Sequence, residues 1–140
     1  MRVLIVGAGA SGMLAALTAA RCGHEALLFE RQSRVGRKLA ATGNGRCNLT
    51  NTSASAEHYH GEDPSFVRGA LEALTVPDTL ALFRGIGLLT REEYGGRVYP
   101  LSNSANSVTD TLRFALEAEG VKLISGDRVR PLERTRSGFA

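Results

Sequence analysis

Residues 3–30 read VLIVGAGASGMLAALTAARCGHEALLFE, and the reading of this stretch decides the fold. Residues 3–6 are a short apolar run, β-branched at Val3, Ile5 and Val6, that stops at Gly7. That pattern predicts a first strand suited to burial on both faces. Residues 11–22, SGMLAALTAARC, are rich in alanine and leucine and predict a helix, with Gly23 as its C-terminal stop. Residues 25–30, EALLFE, then predict a second buried strand. A single helix between two strands is a crossover, so the strands must run parallel. The expected class is α/β, a Rossmann-like parallel sheet with flanking helices.

The junction between first strand and helix carries chemistry. GAGASG at residues 7–12 places Gly7, Gly9 and Gly12 in the dinucleotide-binding pattern G-x-G-x-x-G, with Ala8, Ala10 and Ser11 between them. The pattern by itself is common. Here it follows a strand and opens a helix, which is the context its physics requires. Gly7 permits the tight turn, Gly9 lets a pyrophosphate approach the backbone, and Gly12 lets the helix lie close to the strand. The helix N-terminus offers unpaired N–H groups and partial positive charge to the phosphates. Glu30 ends the second strand eighteen residues after Gly12, where a carboxylate accepts the hydroxyls of an adenosine ribose. Glu30 would repel a 2′-phosphate, whereas Arg31 beside it is the residue an NADP site uses. A dinucleotide is therefore indicated, and the motif leaves open which one.

Working outward, residues 36–51 read GRKLAATGNGRCNLTN. Three glycines, three asparagines, two threonines, a cysteine and three cations leave no helix or strand period, apart from a single turn around residues 37–41. Gly43 and Gly45 allow backbone N–H groups to lie against a flat ligand. Asn44 and Asn48 supply amide donors and acceptors suited to a flavin edge. Arg37, Lys38 and Arg46 offset phosphate charge, although Arg46 could equally tie the loop down. Cys47 reads as a packing residue, since no second cysteine is spaced to pair with it. A plain NAD domain would run on after Glu30 into another β-α-β unit. This chain instead places residues 31–120 before the next strand of the main sheet, predicted at 121–125.

Two levels of resemblance follow. Residues 3–36 resemble the FAD-binding start of the glutathione-reductase-like flavoproteins. More specifically, GRKLAATGNGRCNLTN together with GGRVYPLSNSANSVTDTL at 95–112 resembles the BaiN-like, aminoacetone-oxidase-like bacterial FAD-dependent oxidoreductases, over essentially the whole chain. Ser104 departs from that pattern, in which a lysine is expected, so no catalytic role is assigned there. The resemblance implies a discontinuous FAD-binding domain of which residues 1–140 are the truncated N-terminal part. The substrate domain and the C-terminal flavin contacts would lie outside it. By position it puts residues 7–12 at the pyrophosphate, Glu30 at the ribose, and Gly36, Arg37 and Lys38 beside the phosphates and ribityl chain. Thr42, Gly43, Gly45, Arg46, Cys47 and Asn48 would run toward the isoalloxazine ring, and the Val129 backbone would meet the adenine edge. The implied cofactor is FAD, with NAD(P)H as a transient donor.

The remaining sequence supports this and excludes other classes. A net charge of +3, with both signs interspersed, describes a solvated surface better than a nucleic-acid face. Cys22, on the predicted helix, reads as a small buried hydrophobe, and the two cysteines make no disulfide framework or metal set. His58 and His60 read as a solvated loop, and Tyr94 and Tyr99 as packing groups. Asp63 and Pro64 predict the cap and first turn of a helix, residues 77–87 a second helix, residues 88–100 a hairpin about Gly95 and Gly96, and residues 105–119 a helix facing Val108, Leu112, Ala115 and Leu116 inward. Two further short strands are expected beyond residue 125. The N-terminal apolar run is too short for a signal or membrane segment, so a cytoplasmic protein is expected, acting on a small molecule without membrane or nucleic-acid partner. The alternatives are a nicotinamide-dependent dehydrogenase using the same fingerprint, or a dinucleotide-binding module with no catalysis. The 140 residues alone are expected to be inactive.

Overall fold

The computed structural model describes residues 1–130, 133–136 and 138–139. In chain order the elements are β1 (Arg2–Val6), α1 (Ala10–Arg21), β2 (Glu25–Glu30), α2 (Arg37–Ala41), β3 (Thr50–Asn51), α3 (Arg68–Ala73), α4 (Val76–Gly85), β4 (Thr90–Glu93), β5 (Arg97–Pro100), α5 (Ala105–Ala118), β6 (Lys122–Ser125), β7 (Arg134–Thr135) and β8 (Gly138–Phe139). They divide into two compact units, one of residues 1–38 with 112–140 and one of residues 39–111.

The first unit is built on a parallel three-stranded sheet in the order β1-β2-β6. Val3 pairs with Ala26, Ile5 with Leu28, and Leu28 in turn with Leu123. α1 packs on β1 and β2, and Met13, Ala16, Leu17, Ala26 and Leu28 are all buried. The sheet, its parallel sense and the crossover helix are as the sequence predicts. At the start of β2, Glu25 takes Arg2 at 2.8 Å and Lys122 at 3.0 Å, so one carboxylate links all three strands. The hydrogen bonds from Arg2 and Lys122 hold its pKa down to about 2.

Two expectations fail here. β1 is not buried on both faces: Leu4 is 41% and Val6 56% exposed, because β1 is the edge of this three-strand order and α1 covers one side only. Cys22 is exposed. It is the C-cap of α1, past the last turn that faces the sheet, and its N–H closes on Thr18 O.

The second unit holds an antiparallel sheet in the order β3-β5-β4. The expected hairpin is β4 and β5, turning through Gly95 and Gly96 at φ +75 and +74. β3 pairs Thr50 with Val98 and Asn51 with Arg97. A two-residue strand inside a polar stretch has no period to betray it. Thr75 and Asp78 cap α4 reciprocally, and Pro77 occupies its first turn. Asp63 does accept the Ser65 N–H at 3.0 Å, but the chain from 64 to 67 is a 3₁₀ turn and α3 begins only at Arg68. Neither piece buries a residue, so no packed face forces a continuous helix. Tyr99 is buried as expected, whereas Tyr94 sits at the hairpin tip and is 93% exposed.

α5 buries Ala105, Val108, Leu112 and Leu116, the face the sequence predicts, with Ala115 half-buried. β7 and β8 form a two-stranded antiparallel pair. Two short strands beyond residue 125 are expected from the sequence, and β7 and β8 are such a pair; residues 127–130 have no regular structure, and residues 131 and 132 lie outside the described set.

Leu28 has no exposure and lies in the central strand, so Leu28→Ala should cost about 2–5 kcal/mol in urea unfolding. Leu4→Ala on the open face should cost about 1 kcal/mol or less. Equal losses at the two positions would mean that the core is not where this packing puts it.

Candidate dinucleotide-binding site

The first unit brings residues 7–12, Glu30 and Gly36 together. Gly7 turns at φ +99 and its N–H donates to Phe29 O at 2.7 Å, which locks the end of β1 to β2. Behind the turn, a Cβ on residue 12 would stand 1.8 Å from Gly7 O. No side chain fits there, and the contact sets how closely α1 approaches β1. A Cβ on Gly9 would meet nothing within 4 Å. Gly9 is the N-cap of α1, with no side-chain cap and no acidic residue in the first turn. The first bond of the helix is Met13 N to Gly9 O, at 3.0 Å, so the N–H groups of Ala10, Ser11 and Gly12 have no intrahelical acceptor. Open space over an uncapped positive helix end fits an anion, and the residues present therefore suit a pyrophosphate.

Ala8 joins the pieces. It is 1% exposed, its N–H donates to Glu30 Oε2 at 2.8 Å, and its carbonyl accepts from Gly36 N at 2.8 Å. Glu30 Oε1 accepts from Gln32 N at 2.9 Å, so each oxygen keeps a lone pair for a further donor such as a ribose hydroxyl. The Gln32 N–H, the Ala8 N–H and the charge of Arg31 hold the Glu30 carboxyl below the usual range, against the opposing effect of burial. Gly126 N reaches Glu30 O at 2.9 Å and Gln32 O at 3.1 Å, tying the end of β6 to the same corner. The sequence names Ala8 only as a filler between glycines, and its role as a crosspoint comes from tertiary contacts. Arg31, Arg37 and Lys38 are exposed, the last two opening α2. Val129 is half-buried in a segment without regular structure.

The remaining site residues belong to the second unit. Thr42 Oγ1 donates to Leu39 O at 2.8 Å, and then Gly43, Asn44, Gly45 and Cys47 all take positive φ, at 56, 55, 81 and 58. Asn44 and Cys47 each stand in a conformation that costs about 1–2 kcal/mol for an ordinary residue, less for asparagine. Cys47 is 1% exposed, its N–H donates to Thr42 O at 3.1 Å, and burial pushes its thiol up, which is the signature of packing and not of redox chemistry. With its NH₂ turned to the sheet, Asn48 donates to Thr50 O at 2.9 Å and Val98 O at 3.2 Å. Arg46 donates to Asn103 Oδ1 and, at 2.5 Å, to Glu93 Oε1, and lies 3.9 Å from the Tyr99 ring centroid. Its bracing partners are the side chains of Glu93, Asn103 and Tyr99. Glu93, Tyr99 and Asn103 carry no motif, and only their tertiary convergence reveals them. Among the described residues no cluster could hold a metal ion.

A parallel β-α-β crossover, a glycine turn under a bare helix end and an anchored acidic residue closing the second strand define a dinucleotide-binding domain of Rossmann type. The family model described as the HI0933-like protein Rossmann domain matches residues 1–140, and the chain belongs to this family. It is 44% identical over 140 residues to the 3-dehydro-bile acid delta(4,6)-reductase of Clostridium scindens, covering 99% of this chain and 34% of that protein. It is 29% identical over 134 residues to the ribosomal RNA dihydrouridine synthase of Haemophilus influenzae, covering 96% and 33%. The chain thus spans about a third of the length of these curated relatives. Among solved structures, Thermovibrio ammonificans THI4 superposes with a TM-score of 0.62 at 19% identity, covering 99% of this chain and 44% of that one, a likeness of fold.

Two outcomes follow from the turn. Gly12→Ala must push α1 off β1, and should cost about 3 kcal/mol or more in denaturant unfolding. A smaller loss would mean the helix is free to shift. Glu30 titrates lower when folded than its ordinary 4.5, so its stabilisation is full above that pH and is lost as pH falls through the depressed value. Glu30→Gln should therefore flatten the acid side of the stability curve. An unchanged slope as pH falls below 4.5 would remove Glu30 from the anchor.

Proposed function

We propose that this chain is the N-terminal part of a discontinuous FAD-binding domain in an FAD-dependent oxidoreductase, and that the whole protein reduces a small molecule. The observation that carries the reading is the uncapped α1 N-terminus under Gly9, beside a Glu30 carboxylate whose oxygens keep acceptor capacity. In this reading the N–H groups of residues 10–12 and the exposed Arg37 and Lys38 meet the pyrophosphate, and Glu30 accepts from the ribose. Gly36 borders the phosphates, Arg31 adds positive charge at the ribose end, and the Val129 backbone meets the adenine. The turn at 42–48 runs toward the flavin. FAD is favoured over NAD(P) because residues 31–121 separate β2 from β6 and carry a left-handed glycine turn, where a nicotinamide domain would continue its sheet.

FAD, when bound, supplies a two-electron carrier that exchanges hydride at its ring. The residues of this chain bind and orient it, and none is assigned a covalent role. The names of the two relatives describe one kind of chemistry. A delta(4,6)-reductase of a 3-dehydro-bile acid and a synthase of dihydrouridine each saturate a carbon–carbon double bond that lies beside a carbonyl. We infer the same class here: a hydride and a proton add across a carbonyl-conjugated double bond while NAD(P)H is oxidised. A small molecule is favoured over RNA by the higher identity to the bile-acid enzyme and by charges of both signs over a net +3. No helix among the described residues is long and apolar enough to cross a membrane, and a cytoplasmic site of action completes the reading.

The full-length protein should purify yellow and release FAD on denaturation. It should oxidise NAD(P)H when given a steroid-like enone and not when given RNA. A colourless protein sinks the flavin reading, and turnover with RNA alone sinks the substrate class. Gly9→Ala, whose methyl enters open space, should leave thermal stability near wild type while lowering FAD retention. Full retention would move the pyrophosphate elsewhere. The 140-residue chain alone should show no turnover.

A further inference from the structure

The polar cluster around Arg46 lies entirely in the second unit, and its arrangement goes beyond bracing. The Arg46 side chain is only 30% exposed, and its guanidinium is engaged on three sides: Glu93 Oε1 at 2.5 Å, Asn103 Oδ1, and the Tyr99 ring face with its centroid at 3.9 Å. The same ring stands beside the turn, with its Cε1 3.4 Å from where a Cβ on Gly43 would lie. Glu93 Oε1 is shared with Arg91 Nη2 at 2.8 Å. The Arg46 hydrogen bond, with the charges of Arg46 and Arg91, holds the Glu93 carboxyl below its ordinary range. Glu93 is therefore an anion at neutral pH, and the group of Arg46, Arg91 and Glu93 carries one net positive charge instead of two.

We propose that Glu93 is a positioning residue that neutralises Arg46 and pins it on Tyr99, so that the turn at 43–48 offers a flavin its backbone and not a free cation. The inference rests on the reading that this turn faces the flavin end of FAD. Three features support it. A free arginine in a glycine turn would be the strongest local field on a bound ring, and a cation there favours the anionic reduced form. Arg46 cannot supply that field while Glu93 and Tyr99 hold it, because its charge is paired at contact distance. The left-handed run of Gly43, Asn44, Gly45 and Cys47 also needs an outside contact to hold it, and the seat of Arg46 on the Tyr99 ring supplies one. Glu93 thus sets both the shape and the charge of the turn.

The test uses the full-length holoprotein and reads the midpoint potential of bound FAD beside the thermal melting temperature. Glu93→Gln raises the local charge by one and should shift the potential upward. Arg46→Met lowers it by one and should shift the potential downward. The double variant restores the wild-type sum and should return toward the wild-type potential, while both single variants lower the melting temperature. A merely structural role would move the two single variants in the same direction. Glu93→Asp keeps the charge and serves where Glu93→Gln fails to fold: it should lose stability with little change in potential. Wild-type protein holding FAD whose potential none of these variants moves overturns the inference alone. Wild-type protein holding no FAD overturns the flavin reading, and this inference with it.

Discussion

The approach of α1 to β1 at residue 12 is the constraint on which the first unit depends. A hydrogen is the only substituent that fits 1.8 Å from where Gly7 O stands, so helix and strand meet backbone to backbone. That contact aims the helix N-terminus over the turn and leaves its N–H groups in open space. It also places Ala8 where its N–H and carbonyl reach Glu30 and Gly36 in opposite senses. A helix held further out would still be a helix, but its positive end would no longer coincide with the turn or with the carboxylate. The site is in this sense a by-product of packing. Close contact between small residues at the core creates the polar geometry above it.

The second unit solves a different problem with different means. Its turn carries four positive φ values in five residues and has little apolar surface of its own to stabilise them. Order comes instead from one buried side chain, Cys47, and from the guanidinium–ring–carboxylate group built on β4, β5 and the approach to α5. Strain of this kind persists only when the surroundings over-determine it. Packing alone would have needed larger residues, and those take the left-handed conformation only at a cost of about 1–2 kcal/mol each. A polar brace on a glycine turn satisfies both demands.

The legible parts of the sequence are those where period and punctuation agree. The apolar run to Gly7, the alanine-rich helix to Gly23 and the run ending at Glu30 give a parallel crossover without ambiguity, and the double glycine at 95 and 96 marks the hairpin. Where structure and sequence differ the cause is shared: composition does not fix burial. Leu4 and Val6 are apolar yet exposed, because exposure depends on which strands lie beside β1. Cys22 and Tyr94 fall one step outside the packed elements, at a helix cap and a hairpin tip, where the solvent side is set by a fraction of a turn. The interruption between residues 64 and 68 is of the same kind: Asp63 does cap, but no residue of either piece is buried to keep the helix regular.

By itself, the sequence determined the class of the fold, the place of the glycine turn that opens α1 and the acidic residue that ends β2, because each rests on local backbone preference. Glycine pattern, helix propensity and strand alternation act over a few residues and need no knowledge of the rest of the chain. Only the tertiary structure decided what Arg46 does. Its partners lie 47, 53 and 57 positions away, at Glu93, Tyr99 and Asn103, on segments that share no motif with it. Whether a cation is free or paired depends on the charge brought to it through folding, and no spacing along one stretch of chain records that.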